Sequence, residues 1–328
     1  MKFGTINDGG EPTVVVRAGD SKICRLADLC NAAGVPGYAT LLDLVERVDS
    51  IDDYLSVLSA HIDQVSAIDA LTVEWLPPIS RPSKILGVAF NNRKLMETAH
   101  KDPGVPNFFM KPPSALQAHG KPIRVNPSWG AVIPEPELCA IIGKRCKDLD
   151  EDEALDAVFG YSIHNDVTSH GLKFQKDSIA VTYSPELARP EFFGWRRPHG
   201  DDDRDMYYVY HTRSKGTDTF GPMGPWITTR DEVPNPDALK VEADLDGELF
   251  AIDSTANYRF SVAACIAEAS RYFTLEPGDI ISFGTTAKGQ GRFPNGHKSV
   301  LLGELTGVIG ISIEPLGRLE NPIEHIGT

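Results

Sequence analysis

The chain has 328 residues, 41% hydrophobic and 24% charged, which is enough to bury a full core in two domains or in one large and one small. Its net charge of −14 argues against nucleic acid and anionic membranes as partners and suits a protein that holds a divalent cation. The five cysteines (Cys24, Cys30, Cys139, Cys146, Cys265) form no C-x-x-C pair, which argues against a zinc cage or a disulfide framework and for reduced core thiols.

The N-terminal MKFGTINDGGEP carries no apolar signal core, and no apolar run is long enough to span a bilayer, so a cytoplasmic protein is expected. TVVVRAG (13–19) reads as a strand after a Gly-Gly turn, and SKICRLADLCNAAG as a helix that stops at Gly34. YATLLDLVERV and IDDYLSVLSAHIDQV have helical apolar spacing, and the prolines of LPPISRPSK (76–84) mark a linker. Residues 1–80 are thus expected as a small α/β domain and 81–328 as a larger one.

From Ile85 onward short β-rich runs alternate with Gly/Pro turns. DLDGELF (244–250) is a hairpin signature, because Asp-Gly supplies positive φ, and SVAACIAEASRYFTL (261–275) reads as a helix with Ser261 as N-cap. The fold class expected is α+β and mostly β. The stretch 171–212, rich in Pro, Gly and charge and without a clean period, reads as a long insertion loop; its Phe192, Phe193, Trp195, Arg196 and Arg197 suit a packing surface or the mouth of a site.

AVIPEPELCAIIGK (131–144) places Glu135 and Glu137 two apart in an otherwise apolar strand, so both carboxylates share one face. Like charges so close need a positive neighbour; a solvated edge, which Pro134 and Pro136 favour, is the alternative. Mg²⁺ takes a few carboxylates and keeps open positions, and Asp166, at the end of GYSIHNDVTSH (160–170), offers a third acid. Lys215, before the rigid GTDTFGPMGPW, can balance these acids, bind an oxyanion or move a proton.

FFMKPPSAL, PEPELCAIIGK, GYSIHNDVT, SKGTDTFGPMGPWI, LEPGDIISFGT and IEPLGRLENP occur in this order, and together they resemble the fumarylacetoacetate hydrolase superfamily over about residues 80–322. The resemblance implies a mixed β-roll built around a β-sandwich-like barrel, usually dimeric. It implies one Mg²⁺ or Mn²⁺ on Glu135, Glu137 and Asp166, the family lysine at Lys215, and Thr285 as a binder of the substrate carboxylate. Its substrates are 2-oxo or 2,4-dioxo acids that chelate the metal and react through an enolate.

Departures from the family pattern are local. In FNNRKLMETAH (90–100) Leu95 stands where family hydrolases carry the histidine of a water-activating His/Glu pair, leaving Glu97 or His100 as substitutes. The family A-R-D becomes Ser169-His170-Gly171, and Lys288 replaces a small residue, so His170, Lys288 and Arg197 are candidates for a remade substrate end. The expected function is C–C hydrolysis of an acylpyruvate or 2,4-diketo acid in catabolism. The alternatives are a lyase, dehydratase or decarboxylase of a 2-oxo acid, favoured by the lost dyad, and a non-catalytic metal-binding scaffold, disfavoured by the intact acids.

Overall fold

In the computed structural model, which describes residues 1–48, 50–286 and 288–327, the apolar runs of the sequence pair into one large sheet. Its eleven strands are β1 (Lys2–Asp8), β2 (Glu11–Arg17), β3 (Lys22–Arg25), β4 (Ile68–Asp69), β5 (Glu74–Leu76), β6 (Ile85–Ala89), β7 (Asn107–Lys111), β8 (Pro136–Ile142), β9 (Val158–Asn165), β10 (Ile227–Thr229) and β11 (Ile280–Thr285). They lie in the order β4-β3-β2-β1-β10-β9-β8-β11-β6-β7, with β5 paired to β1. The β11–β6 pairing is parallel and its neighbours on the sheet are antiparallel.

Every residue of β8 and β9 is buried, Glu137, Ser162, His164 and Asn165 included, because both strands lie inside a sheet covered on both faces. The two faces of β8 serve two cores. Cys139 and Ile141 pack with Phe3, Leu29, Leu44 and Leu58, beneath the helices Leu26–Ala33, Leu41–Arg47 and Ile51–Ser59. Leu138, Ala140 and Ile142 point the other way, onto a five-stranded sheet that supplies Val241, Ala243, Phe250, Ile309 and Ile311. The architecture is α+β and mostly β, two open sheets packed on each other rather than a closed barrel.

Local chemistry sets several boundaries. Ser261 Oγ accepts the Ala264 N–H at 3.0 Å and starts the helix Val262–Tyr272. Asp246 and Gly247 both have positive φ, 51° and 83°, which the two-residue hairpin between Lys240–Leu245 and Glu248–Ser254 needs. The prolines of 76–84 are pinned to the core: Pro78 O accepts from Thr5 Oγ1 at 3.0 Å, and Ile79 is buried. Residues 1–80 thereby extend the same sheet that carries the rest of the chain.

Two expectations need correction. Lys22–Arg25 is a strand rather than the first turn of a helix, because Ile23 and Cys24 are buried by pairing with β2 and the helix begins only at Leu26. The segment 171–212 is an arm with structure of its own. The helix His170–Lys176 leads into an antiparallel pair, Ser178–Thr182 with Asp205–Val209, around the short helix Pro190–Phe193. Most of its strand residues face solvent (Ile179 is 54% and Tyr207 60% exposed) and only Met206 among them is buried, so no amphipathic alternation marks its strands. Among the described residues, no helix is long and apolar enough to cross a membrane.

Candidate metal centre

β8 is an interior strand between β9 and β11, not a solvated edge. Pro136 is tolerated because it is the first strand residue, opposite Asn165, where little of the ladder depends on its missing N–H. Just before it the two chains are laced together: Glu135 N donates to Asn165 Oδ1, and Asp166 N donates to the Glu135 carbonyl, each at 2.9 Å. These bonds bring Glu135 beside Asp166, while Glu137 follows on the same strand opposite His164. One carboxylate oxygen from each of Glu135, Glu137 and Asp166 lies within 4.8 Å of the others.

Three acids this deep require compensation. Lys215 Nζ donates to Glu135 Oε2 at 2.5 Å and also to Asp166 Oδ2. Lys111, at the end of β7, donates to Asp166 Oδ1 at 2.6 Å with its side chain 1% exposed. Thr168 Oγ1 donates to Glu135 Oε2 at 2.6 Å. Burial alone raises the Asp166 carboxyl, but Lys111 and Lys215 more than offset it and hold it well below the ordinary range. Glu137 has no such direct cation: burial, with Asp166 nearby, pushes it up to about 8. Burial disfavours charge on Lys215, yet Asp166 and Glu135 win and keep it a firm ammonium.

Above the acids opens a pocket that Lys215, His170 and Thr285 line, along with the three carboxylates. The Thr285 hydroxyl is buried and has no hydrogen-bond partner among the described residues. Four other candidates stand elsewhere. Glu97 and Lys288 are exposed and line a separate depression with Arg93 and Lys94, His100 is exposed, and Arg197 sits exposed on the arm. Leu95 itself lines the pocket. Sequence reasoning missed Lys111, Lys173, His211, His297 and Lys298. Lys111 lies inside the quoted FFMKPP motif, whereas the others come from the arm and a late loop with no spacing to relate them.

Three imidazoles are kept neutral around this centre. Burial is the leading cause in each case, lowering His164 to about 3 and His211 and His297 to about 4. In an unfolded chain they titrate near 6.5, so between about 4 and 6.5 the unfolded state binds more protons than the folded one. Stability therefore falls as pH falls through that window. The three together should remove about 3.5 kcal/mol from pH 6 to pH 5, about 1.2 kcal/mol each, and the raised Glu137 carboxyl, which the folded state protonates first, offsets about one of these shares. Urea unfolding at the two pH values measures this, and an unchanged midpoint would show that the folded imidazoles are already charged at pH 6.

A fold of this kind with an E-x-E pair, a later aspartate and a lysine is the arrangement that the resemblance anticipated. The sequence signature of the C-terminal domain of fumarylacetoacetate hydrolase matches residues 84–324, and the chain belongs to that family. A Burkholderia lata protein, provisionally named a hydrolase with no substrate, is 37% identical over 259 residues, 75% of this chain and 81% of that one. Fumarylacetoacetate hydrolase from Exiguobacterium antarcticum is 27% identical, covers 99% of each chain and superposes with a TM-score of 0.72. Maleylpyruvate hydrolase from Sphingobium sp. SYK-6, solved with manganese(II) and pyruvate, shares the fold at 24% identity over 99% of each chain, with a TM-score of 0.71.

Proposed function

We propose that the protein is a divalent-metal-dependent hydrolase that cleaves a C–C bond in an acylpyruvate or another 2,4-diketo acid. The observation that carries this reading is the convergence of Glu135, Glu137 and Asp166, with Lys215, at the foot of one pocket. The donor set fits a hard cation, Mg²⁺ or Mn²⁺: it is all carboxylate, and Glu135 Oε1 and Glu137 Oε1 accept no hydrogen bond from any described residue. A bound ion would supply Lewis acidity, polarising a keto oxygen and stabilising enolate character.

The protein's own groups do the rest. The unpartnered Thr285 hydroxyl donates to the substrate carboxylate, and the Lys215 ammonium faces developing negative charge. His170, Lys173 and Lys298 line the same pocket, and neither lysine has an acidic partner within ion-pair distance among the described residues, so the pocket attracts anions. In place of the family's water-activating pair we assign the proton-accepting role to His211, a neutral imidazole on the pocket wall. In this reading the enzyme works in the cytoplasm, in a catabolic step, as a homodimer whose subunits each hold a small N-terminal domain (1–80) on the catalytic one.

The test is the mass of the products formed with Mg²⁺ from a panel of 2-oxo and 2,4-dioxo acids. Hydrolysis gives two fragments that together equal substrate plus water. One observation favours a second reading, a lyase or decarboxylase on the same metal: the pocket wall has Leu95 where a water-activating histidine is usual, and Glu97 and His100 are exposed to solvent. Loss of water or CO₂ from an otherwise whole substrate would establish that alternative and overturn the hydrolase.

A further inference from the structure

We propose that His164 and Ser282 form a positioning relay that fixes Glu137 as a one-oxygen ligand of the cation; this rests on the metal reading above. The three residues come from adjacent strands. His164 on β9 is the register partner of Glu137 on β8, and Ser282 lies on β11, the other neighbour of β8. The β8–β11 ladder is irregular at this point: Glu137 pairs with Thr285 and Cys139 with Ser282, so β11 carries one residue more than β8. Such a bulge re-aims side chains next to a site.

Here it turns two donors onto one oxygen. Ser282 Oγ donates to Glu137 Oε2 at 2.5 Å and Gly284 N donates to the same atom at 3.1 Å. Gly284 has φ +104°, and a Cβ there would stand 3.0 Å from Asn91 Cβ, so the approach of this N–H depends on glycine. Behind Ser282, His164 Nδ1 lies 2.8 Å from its Oγ.

The direction of the chain follows from what each group can do. Glu137 binds a cation in its ionised form, which only accepts, so in that form the single hydroxyl hydrogen of Ser282 goes to Glu137. Toward His164 the same oxygen can then only accept, which places the proton of the neutral ring on Nδ1 and leaves Nε2 bare. That nitrogen is buried without a partner among the described residues, and a Cβ on Gly221 would stand 3.3 Å from it. The imidazole therefore has one hydrogen-bonding task among the described residues, to hold the Ser282 hydroxyl on Glu137. With Oε2 held by two donors, only Oε1 is left for a cation, and the carboxylate cannot rotate to offer both oxygens.

Groups that orient a metal ligand in this way commonly cost 10–100-fold in affinity when removed. Mn²⁺ affinity, measured by calorimetry on the full chain without substrate, tests the relay. Ser282→Ala should raise the Kd by about 10–100-fold. His164→Phe should weaken binding in the parent but add nothing in the Ser282→Ala background, because its effect passes through that hydroxyl. Parental affinity in Ser282→Ala, or full additivity in the double variant, overturns the relay. Metal-free melting and circular dichroism establish that each variant is folded; if His164→Phe is not, the Ser282→Ala affinity decides alone. A parent protein that binds no Mn²⁺ overturns the metal reading itself, a different outcome from a parent that binds tightly and a Ser282→Ala variant that binds equally well.

Discussion

Glu135→Gln is expected to lower turnover by about 10³-fold and to weaken divalent-metal binding in step, because a metal's Lewis acidity is worth several kcal/mol and each 1.4 kcal/mol is a factor of ten. Any of the three acids can be removed, but not with equal clarity. Asp166 is the partner of Lys111, whose side chain is 1% exposed and makes no other ion pair among the described residues, and it also holds Lys215. Its loss would leave buried ammonium groups uncompensated at a cost of about 3–5 kcal/mol, so an inactive Asp166 variant could simply be unfolded. Glu135 is less critical to the fold. Its side chain is 14% exposed, and Lys215 keeps Asp166 when Glu135 is neutralised. Glu135→Gln keeps the shape and the Thr168 contact and removes only the charge. The measurement is kcat with Mg²⁺ alongside Mn²⁺ affinity on the same preparation. A folded variant with parental turnover would exclude the metal mechanism.

The parts of the site that could be read in the sequence are those set by local spacing. Glu135 and Glu137 are two apart on or beside one strand, and Asp166 immediately follows the strand hydrogen-bonded to it, so a short stretch of chain carries the geometry. The Asp246-Gly247 turn and the Ser261 cap are equally local. What could not be read depends on distant chain. The prolines at 134 and 136 suggested an edge, because nothing in their vicinity reveals that β11, more than 140 residues later, covers that side of β8. The arm at 171–212 reads as a loop because most of its strand residues face solvent and a long charged segment with a short helix separates the two strands. Leu95 departs from the family pattern and lines the pocket, whereas Glu97 and His100, its substitutes by proximity in sequence, follow the short helix Arg93–Met96 and are exposed outside the pocket lining. His211 was invisible for the opposite reason. It enters the pocket only because the arm returns to within four residues of Lys215.

That return makes His211→Asn the second large effect, a fall in kcat of about 10²–10⁴-fold with KM little changed, the range for loss of a positioned general base. His211 has φ 54° and ψ 15°, a left-handed conformation that a non-glycine residue adopts at a cost and that tends to persist at functional sites. It immediately precedes the helix Thr212–Gly216 that carries Lys215, so the turn aims both side chains into the same space. Phe109 lies between them, its ring 6.0 Å from the imidazole and 4.5 Å from Lys215 Nζ. His211 Nδ1 is buried and has no hydrogen-bond partner among the described residues. Burial first, then Lys173 and Lys215, hold the ring down to about 4, so at pH 7 it is neutral but a weak base. An anionic substrate against those lysines offsets their effect and raises the imidazole toward its ordinary 6.5, nearer the optimum for proton transfer at neutral pH. The sign is therefore fixed: activity is lost as the ring protonates on acidification, and the acid limb of kcat, which reports the substrate complex, should lie at higher pH than that of kcat/KM, which reports the free enzyme. Asparagine is the right replacement, since it tolerates the left-handed backbone and cannot act as the base. An unchanged kcat in His211→Asn would transfer the role to His297, which lines the same pocket and whose Nε2 stands 3.9 Å from Glu135 Oε1.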